Sequence, residues 1–221
     1  MTLARRAACE LIGTALLLAA VVGSGIMGER LSGGNAAIAL LANSLATGFA
    51  LIALIVMFGS RSGAHFNPLV TLALAVRGRC AWREVPAYVV AQVIGAMVGV
   101  VLAHVMYELP LLQSPAKVRT GIAQWASEII ATFGLVLLVL SLNRKNEWAA
   151  PFAVGAYIAA AYWFTSSTSF ANPAVTLARG FTDTFAGIGM ANVAAFVLAQ
   201  VAGAALGVLV DRALPVSPSR Q

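Results

Sequence analysis

Asn67-Pro68-Leu69-Val70-Thr71-Leu72-Ala73 and Asn172-Pro173-Ala174-Val175-Thr176-Leu177-Ala178 nearly repeat each other. Each is a small polar box in an otherwise apolar sequence. Each sets Asn before Pro, and Pro suits the first turn of a helix. The apolar run after each box is too short to cross a bilayer. A duplicated, interrupted hydrophobic segment points to the solute site of a membrane transport protein.

The composition outside the boxes agrees. The chain has 221 residues, is 60% hydrophobic and 10% charged, and its mean hydropathy is +0.88. A soluble domain would carry about a quarter charged residues. The apolar runs reach about 20 residues and do not alternate, which excludes a β-barrel. Long spans of about 20 residues are expected at roughly 7–27, 36–58, 84–107, 122–142, 149–166 and 187–210. Two half-spans are expected at about 67–76 and 172–180, acceptable only where their backbone is buried or lines a cavity. The first run, Leu11–Ile26, follows Arg5 and Arg6 as in a signal peptide, but Glu10 and Thr14 at its start favour a retained span. The expected fold is an all-α membrane protein of six spans and two re-entrant half-helices, in one domain over 1–221.

Charge orients it. With the N-terminus cytoplasmic, Arg5, Arg6, Arg61, Arg77, Arg79, Arg83, Arg144, Lys145, Arg212 and Arg220 fall inside, and Arg30, Lys117, Arg119 and Arg179 outside. This obeys the positive-inside rule. The net charge of +6 thus reads as topology, and no nucleic-acid partner is expected. The bilayer, here the plasma (inner) membrane, is the expected environment, with both termini cytoplasmic.

The duplication extends further. Glu10-Leu11-Ile12-Gly13-Thr14 resembles Glu128-Ile129-Ile130-Ala131-Thr132. The stretch from Ala91 through Gly95 to Gly99 resembles that from Ala199 through Gly203 to Gly207. Repeat one covers about 5–107 and repeat two about 120–211, each with three full spans. Three is odd, so the second repeat is inverted. The two half-helices then enter from opposite faces and meet N-terminus to N-terminus near the midplane. Facing helix ends make a positive focus, and Asn67 and Asn172 add carboxamide donors to it. A solute oxygen is received there, while cations meet a barrier.

Glu10 and Glu128 lie in spans, where a carboxyl costs about 2.5–3.5 kcal/mol or more and needs partners. Bracing the re-entrant loops is preferred to proton coupling, because each repeat has one loop and one Glu. Gly95, Gly99, Gly203 and Gly207 allow close helix approach. Gln92 and Gln200 are expected to bond across helices. His65 is expected to hold its loop. His104 has no partner legible in the sequence and is assigned no role. Tyr157, Tyr162, Trp163 and Phe164 read as an interfacial belt, with a pore-mouth role as the alternative. Two cysteines, Cys9 and Cys80, and two separated histidines give no metal spacing. No metal, cofactor or catalytic residue is expected.

These residues resemble the aquaporin/major intrinsic protein family from Glu10 to about Val210. The resemblance implies an hourglass fold, a homotetramer with one pore per subunit, and passive conduction of water or small uncharged solutes. Asn67 and Asn172 match the family's two pore asparagines. The family's first box usually reads Asn-Pro-Ala, whereas this chain has Leu69. The family usually follows its second box, here Asn172-Pro173-Ala174, with Arg; this chain has Val175. By the family spacing the outer filter would comprise Thr47, Ser169, Val175 and either Ala160 or Tyr162. Its fixed charge and usual aromatic would be gone. The chain looks similar to bacterial members with an arginine-less filter that are associated with arsenic resistance. The resemblance implies passage of glycerol-like polyols and neutral trivalent or methylated arsenicals. A strict water channel and an ion-coupled secondary transporter are the alternatives.

Overall fold

In the computed structural model, residues 1–142 and 148–214 are described. Arg144, Lys145 and Arg220 of the charge pattern lie outside them. Eight α-helices follow in order: α1 (Leu3–Leu31), α2 (Ala36–Ser62), α3 (Pro68–Val76), α4 (Val85–Met106), α5 (Ile122–Ser141), α6 (Ala150–Phe164), α7 (Pro173–Arg179) and α8 (Met190–Ala213). A 3-10 turn, Trp82–Glu84, leads into α4. Five of them, α1, α2, α4, α5 and α8, are long and apolar enough to cross a bilayer among the described residues. Helix α6 has 15 apolar residues, about 22 Å at 1.5 Å per residue.

The long helices agree with the expected spans at their centres and depart from them at the ends. Helix α1 runs to Leu31, beyond the apolar run, because Gly28, Glu29 and Arg30 continue it as a polar last turn. Helix α2 continues through Arg61 and stops at Gly63, which takes φ +92°. That left-handed cap suits a residue without Cβ.

The two repeats pack alike. Helix α1 lies along α4, and α5 along α8. The glycines set these contacts. A Cβ on Gly95 would strike the carbonyl oxygen of Leu11, and one on Gly99 that of Ala15. In the second repeat, a Cβ on Gly203 would strike the carbonyl of Ile129. A Cβ on Gly207 would lie 3.0–3.1 Å from Phe133 O and the Val136 side chain. Leu11 follows Glu10 and Ile129 follows Glu128, so close approach brings each glutamate beside its loop. Helices α2 and α6 cross where Gly48 and Gly155 face each other's carbonyls.

Apolar side chains are abundant on the outside. Phe49, Val56, Ile130, Leu198 and Leu209 are each more than half exposed. A water-soluble domain would bury them, whereas a bilayer accepts them. Together with the apolar helices, this makes the chain a multi-pass membrane protein.

Candidate functional site: a channel between two asparagine boxes

Helices α3 and α7 begin at the Asn-Pro boxes. Asn67 Oδ1 accepts from Leu69 N at 2.9 Å, and Asn172 Oδ1 accepts from Ala174 N at 3.0 Å and Val175 N at 3.4 Å. Each asparagine therefore caps its own half-helix. Its amide also reaches across. Asn67 Nδ2 donates to Ala171 O at 2.8 Å, and Asn172 Nδ2 donates to Phe66 O at 2.8 Å. The two half-helices thus meet end to end and are tied by a reciprocal pair of bonds. One hydrogen of each amide has no partner among the described residues.

The loops before the boxes are strained in the same way. Ala64 and Phe66 have φ +48°, and Ser169 and Ala171 have φ +48° and +49°. Non-glycine residues seldom occupy this region. Glu10 and Glu128 hold the loops there. Glu10 Oε1 accepts from Ser62 Oγ at 2.7 Å and His65 N at 3.0 Å, and Oε2 from Phe66 N at 2.7 Å and Gln92 Nε2 at 2.9 Å. Glu128 Oε1 accepts from Ser167 Oγ at 2.6 Å and Phe170 N at 2.9 Å. Its Oε2 accepts from Ala171 N at 2.9 Å and Gln200 Nε2 at 2.6 Å. Both carboxyls are fully buried. Gln92 and Gln200 continue the chain to Thr71 Oγ1 at 3.0 Å and Thr176 Oγ1 at 2.8 Å. His65 Nδ1 lies 3.0 Å from Thr71 Oγ1.

Between the helices runs a cavity of about 620 Å³. Its wall includes Arg79 and Leu142 at one end, Asn67 and Asn172 at the waist, and Tyr162, Ser169, Val175 and Arg179 towards the other. Leu17, Leu51, Val70, Leu135 and Ile158 supply apolar surface between them. A polar strip in an apolar tube gives a passing solute hydrogen-bond partners in few directions.

Of the residues expected at the outer filter, Thr47, Tyr162, Ser169 and Val175 line this cavity. Ala160 does not; it is exposed on the outer side of α6. The two-residue offset turns Tyr162 inward, where it is 3% exposed. Its hydroxyl lies 3.2 Å from Thr47 Oγ1. Trp163 and Phe164 are exposed, as a belt requires, so the aromatic cluster divides between the two roles weighed for it. Leu69 and Ala174 are buried at the first turns of their half-helices.

Three residues were undervalued in the sequence. Arg119 and Arg179, counted there only as external charge, are 6% and 1% exposed. The guanidinium of Arg179 sits over the Phe170 ring, 3.4 Å from its centroid, and that of Arg119 lies 5.0 Å from it. Arg119 donates to Gly187 O at 2.9 Å and Ser167 O at 3.1 Å. Val175 is neutral, but Arg179 shares its cavity. The signal was the four-residue spacing, which sets Arg179 on the same helix face as Val175. His104 is fully buried. Its Nδ1 meets Leu111 O at 2.9 Å and its Nε2 meets Thr182 Oγ1 at 2.8 Å. A carbonyl only accepts, so Nδ1 carries a proton. His104 ties α4 to the loops on either side.

Known proteins share this arrangement. The chain matches the major intrinsic protein family over residues 1–169. It is 52% identical over 218 residues to the aquaglyceroporin AqpS of Rhizobium meliloti (strain 1021), covering 99% of this chain and 93% of that one. It is 37% identical over 116 residues to the glycerol uptake facilitator protein of Bacillus subtilis (strain 168), covering 46% of this chain and 42% of that one. The fold also superposes on the X-ray structure of the aquaglyceroporin from Plasmodium falciparum with a TM-score of 0.73, at 21% identity over 95% of this chain and 93% of that one. Crossed asparagine boxes, a membrane-spanning helical frame and these matches lead to one conclusion: the chain belongs to the major intrinsic protein family, as a passive membrane channel for water and small solutes.

Proposed function

We propose that the channel passes small uncharged solutes larger than water, namely glycerol-like polyols and neutral trivalent or methylated arsenicals. The observation that carries this reading is Val175, a valine in the cavity wall at the position where the family usually has arginine. Valine is shorter and donates no hydrogen bond, so it leaves room beside the second box. As(OH)3 is neutral at pH 7 and resembles a small polyol in size. The similar proteins named aquaglyceroporin and glycerol uptake facilitator favour solutes of this kind. Thr47, Tyr162, Ser169 and Val175 form the proposed outer filter. Asn67 and Asn172 orient the solute oxygen at the waist, and Glu10, Glu128 and His65 hold the loops. A homotetramer in the plasma (inner) membrane, with cytoplasmic termini, belongs to the same reading.

The test is entry of arsenite and methylated arsenite into proteoliposomes, read beside water flow in the same vesicles. Entry well above empty liposomes supports the proposal. Water flow without arsenical entry removes the arsenical part. The hydrogen bond between Tyr162 and Thr47 favours a second reading, a strict water channel whose aperture the tyrosine has refilled.

A further inference from the structure

We infer that Arg179 is the selecting charge of this channel, acting from one helical turn beyond Val175. The inference deepens the neutral-solute reading and rests on it. Arg179 ends α7 and is 1% exposed, yet it lines the channel cavity. Buried charges are almost always paired. Among the described residues, no carboxylate lies within ion-pair distance of it. Its Nε donates to Ala186 O and its guanidinium lies on the Phe170 ring. Of its five donors, those on the two terminal nitrogens have no partner among the described residues.

Two restraints fix the group. The Phe170 ring supports one face. The segment after α7 holds the other end: Ala186 O takes the Nε–H, and Ile188 N donates to Arg179 O at 3.2 Å. The remaining donors then serve whatever fills the cavity. A second polar group is also free there. Ser169 is 3% exposed, and its Oγ is buried without a partner among the described residues. Together Arg179 and Ser169 offer a subsite for a neutral solute with two or more oxygens, such as a polyol or an undissociated oxyacid. A solute carrying oxygens satisfies the guanidinium; a cation is repelled by it and satisfies nothing. The valine next to the box therefore widens the channel without removing its positive charge.

The experiment uses the full chain in proteoliposomes with potassium leak and water permeability measured on the same vesicles. Variants are Arg179→Gln, Arg179→Leu, Arg179→Lys and the double variant Val175→Arg/Arg179→Leu. The expected result is a ratio of potassium leak to water permeability roughly tenfold above wild type in the Gln and Leu variants. Arg179→Lys stays tight, and Val175→Arg returns tightness to the Leu variant. The Gln variant can still donate to Ala186 O, so it separates charge from folding. A Gln or Leu variant that conducts water and stays as potassium-tight as wild type overturns the assignment. Absence of water flow in the wild type would instead defeat the channel reading itself.

Discussion

The hydroxyls of Thr47 on α2 and Tyr162 on α6 lie 3.2 Å apart across the wall of the channel. The pair links the two repeats, since α2 and α6 belong to different halves. It also places an aromatic ring where Ala160 would have left space. The ring is the bulkiest neutral group of the proposed filter, so it sets how much of the room beside Val175 a solute can use. Tyr162→Ala should raise glycerol permeability by roughly fivefold, the effect of lowering a barrier by about 1 kcal/mol. Water permeability should change little. Stopped-flow reswelling measures both; an unchanged glycerol rate would mean that Tyr162 does not limit passage.

The loop carboxylates predict a stability effect. Each glutamate accepts two backbone N–H groups, one hydroxyl and one glutamine amide. Glu128→Gln turns part of an acceptor into a donor and faces Gln200 and Ala171 with the wrong polarity. A loss of about 3 kcal/mol is expected. Thermal unfolding of the detergent-solubilised protein should show a lower midpoint, with Glu10→Gln behaving alike by symmetry. A protonophore-sensitive flux with normal stability would instead assign these groups to proton coupling.

Gly95→Ala and Gly203→Ala test the close helix contacts. In both, the new methyl would meet backbone, the carbonyls of Leu11 and Ile129, and not a side chain that can turn away. Each should cost about 1–3 kcal/mol, the usual range for overpacking. Gly59→Ala is the control, because nothing lies within 4 Å of its added Cβ. Equal folded yields for all three would contradict the packing.

A pH effect follows at the outer loop. Lys117 donates to Phe185 O at 2.9 Å. Burial first, then the nearby charges of Arg119 and Arg179, push its pKa down from 10.5 to about 8. The folded chain thus holds fewer protons than the unfolded chain between about 8 and 10.5. Stability rises with pH through that window, and below about 8 the protonated amine opposes folding fully. Amine-directed acylation of Lys117, followed by mass spectrometry, should reach half its maximum near pH 8. A half-maximum near pH 10 would deny the depression.

Much of this architecture is legible in the sequence because the fold is a duplication in a bilayer. Apolar length locates α1, α2, α4, α5 and α8, and the paired Asn-Pro boxes locate α3 and α7. The glutamates and glycines are visible as repeated positions. What escapes is side-chain direction near the outer end. Counting alone left Ala160 and Tyr162 equal, and only the turn of α6 separates them. Arg179 reads as one more external charge, since its burial depends on Phe170 and on the Ala186 carbonyl, which arrive from separate loops. His104 has partners at Leu111 and Thr182, in two loops whose meeting no local pattern announces.

The most direct test of the channel account is stopped-flow light scattering of proteoliposomes mixed into a glycerol gradient. Fast shrinkage followed by fast reswelling, both above empty liposomes, is the predicted result. Shrinkage and reswelling no faster than in empty liposomes would contradict the account. Fast shrinkage with reswelling at the empty-liposome rate would confine the channel to water.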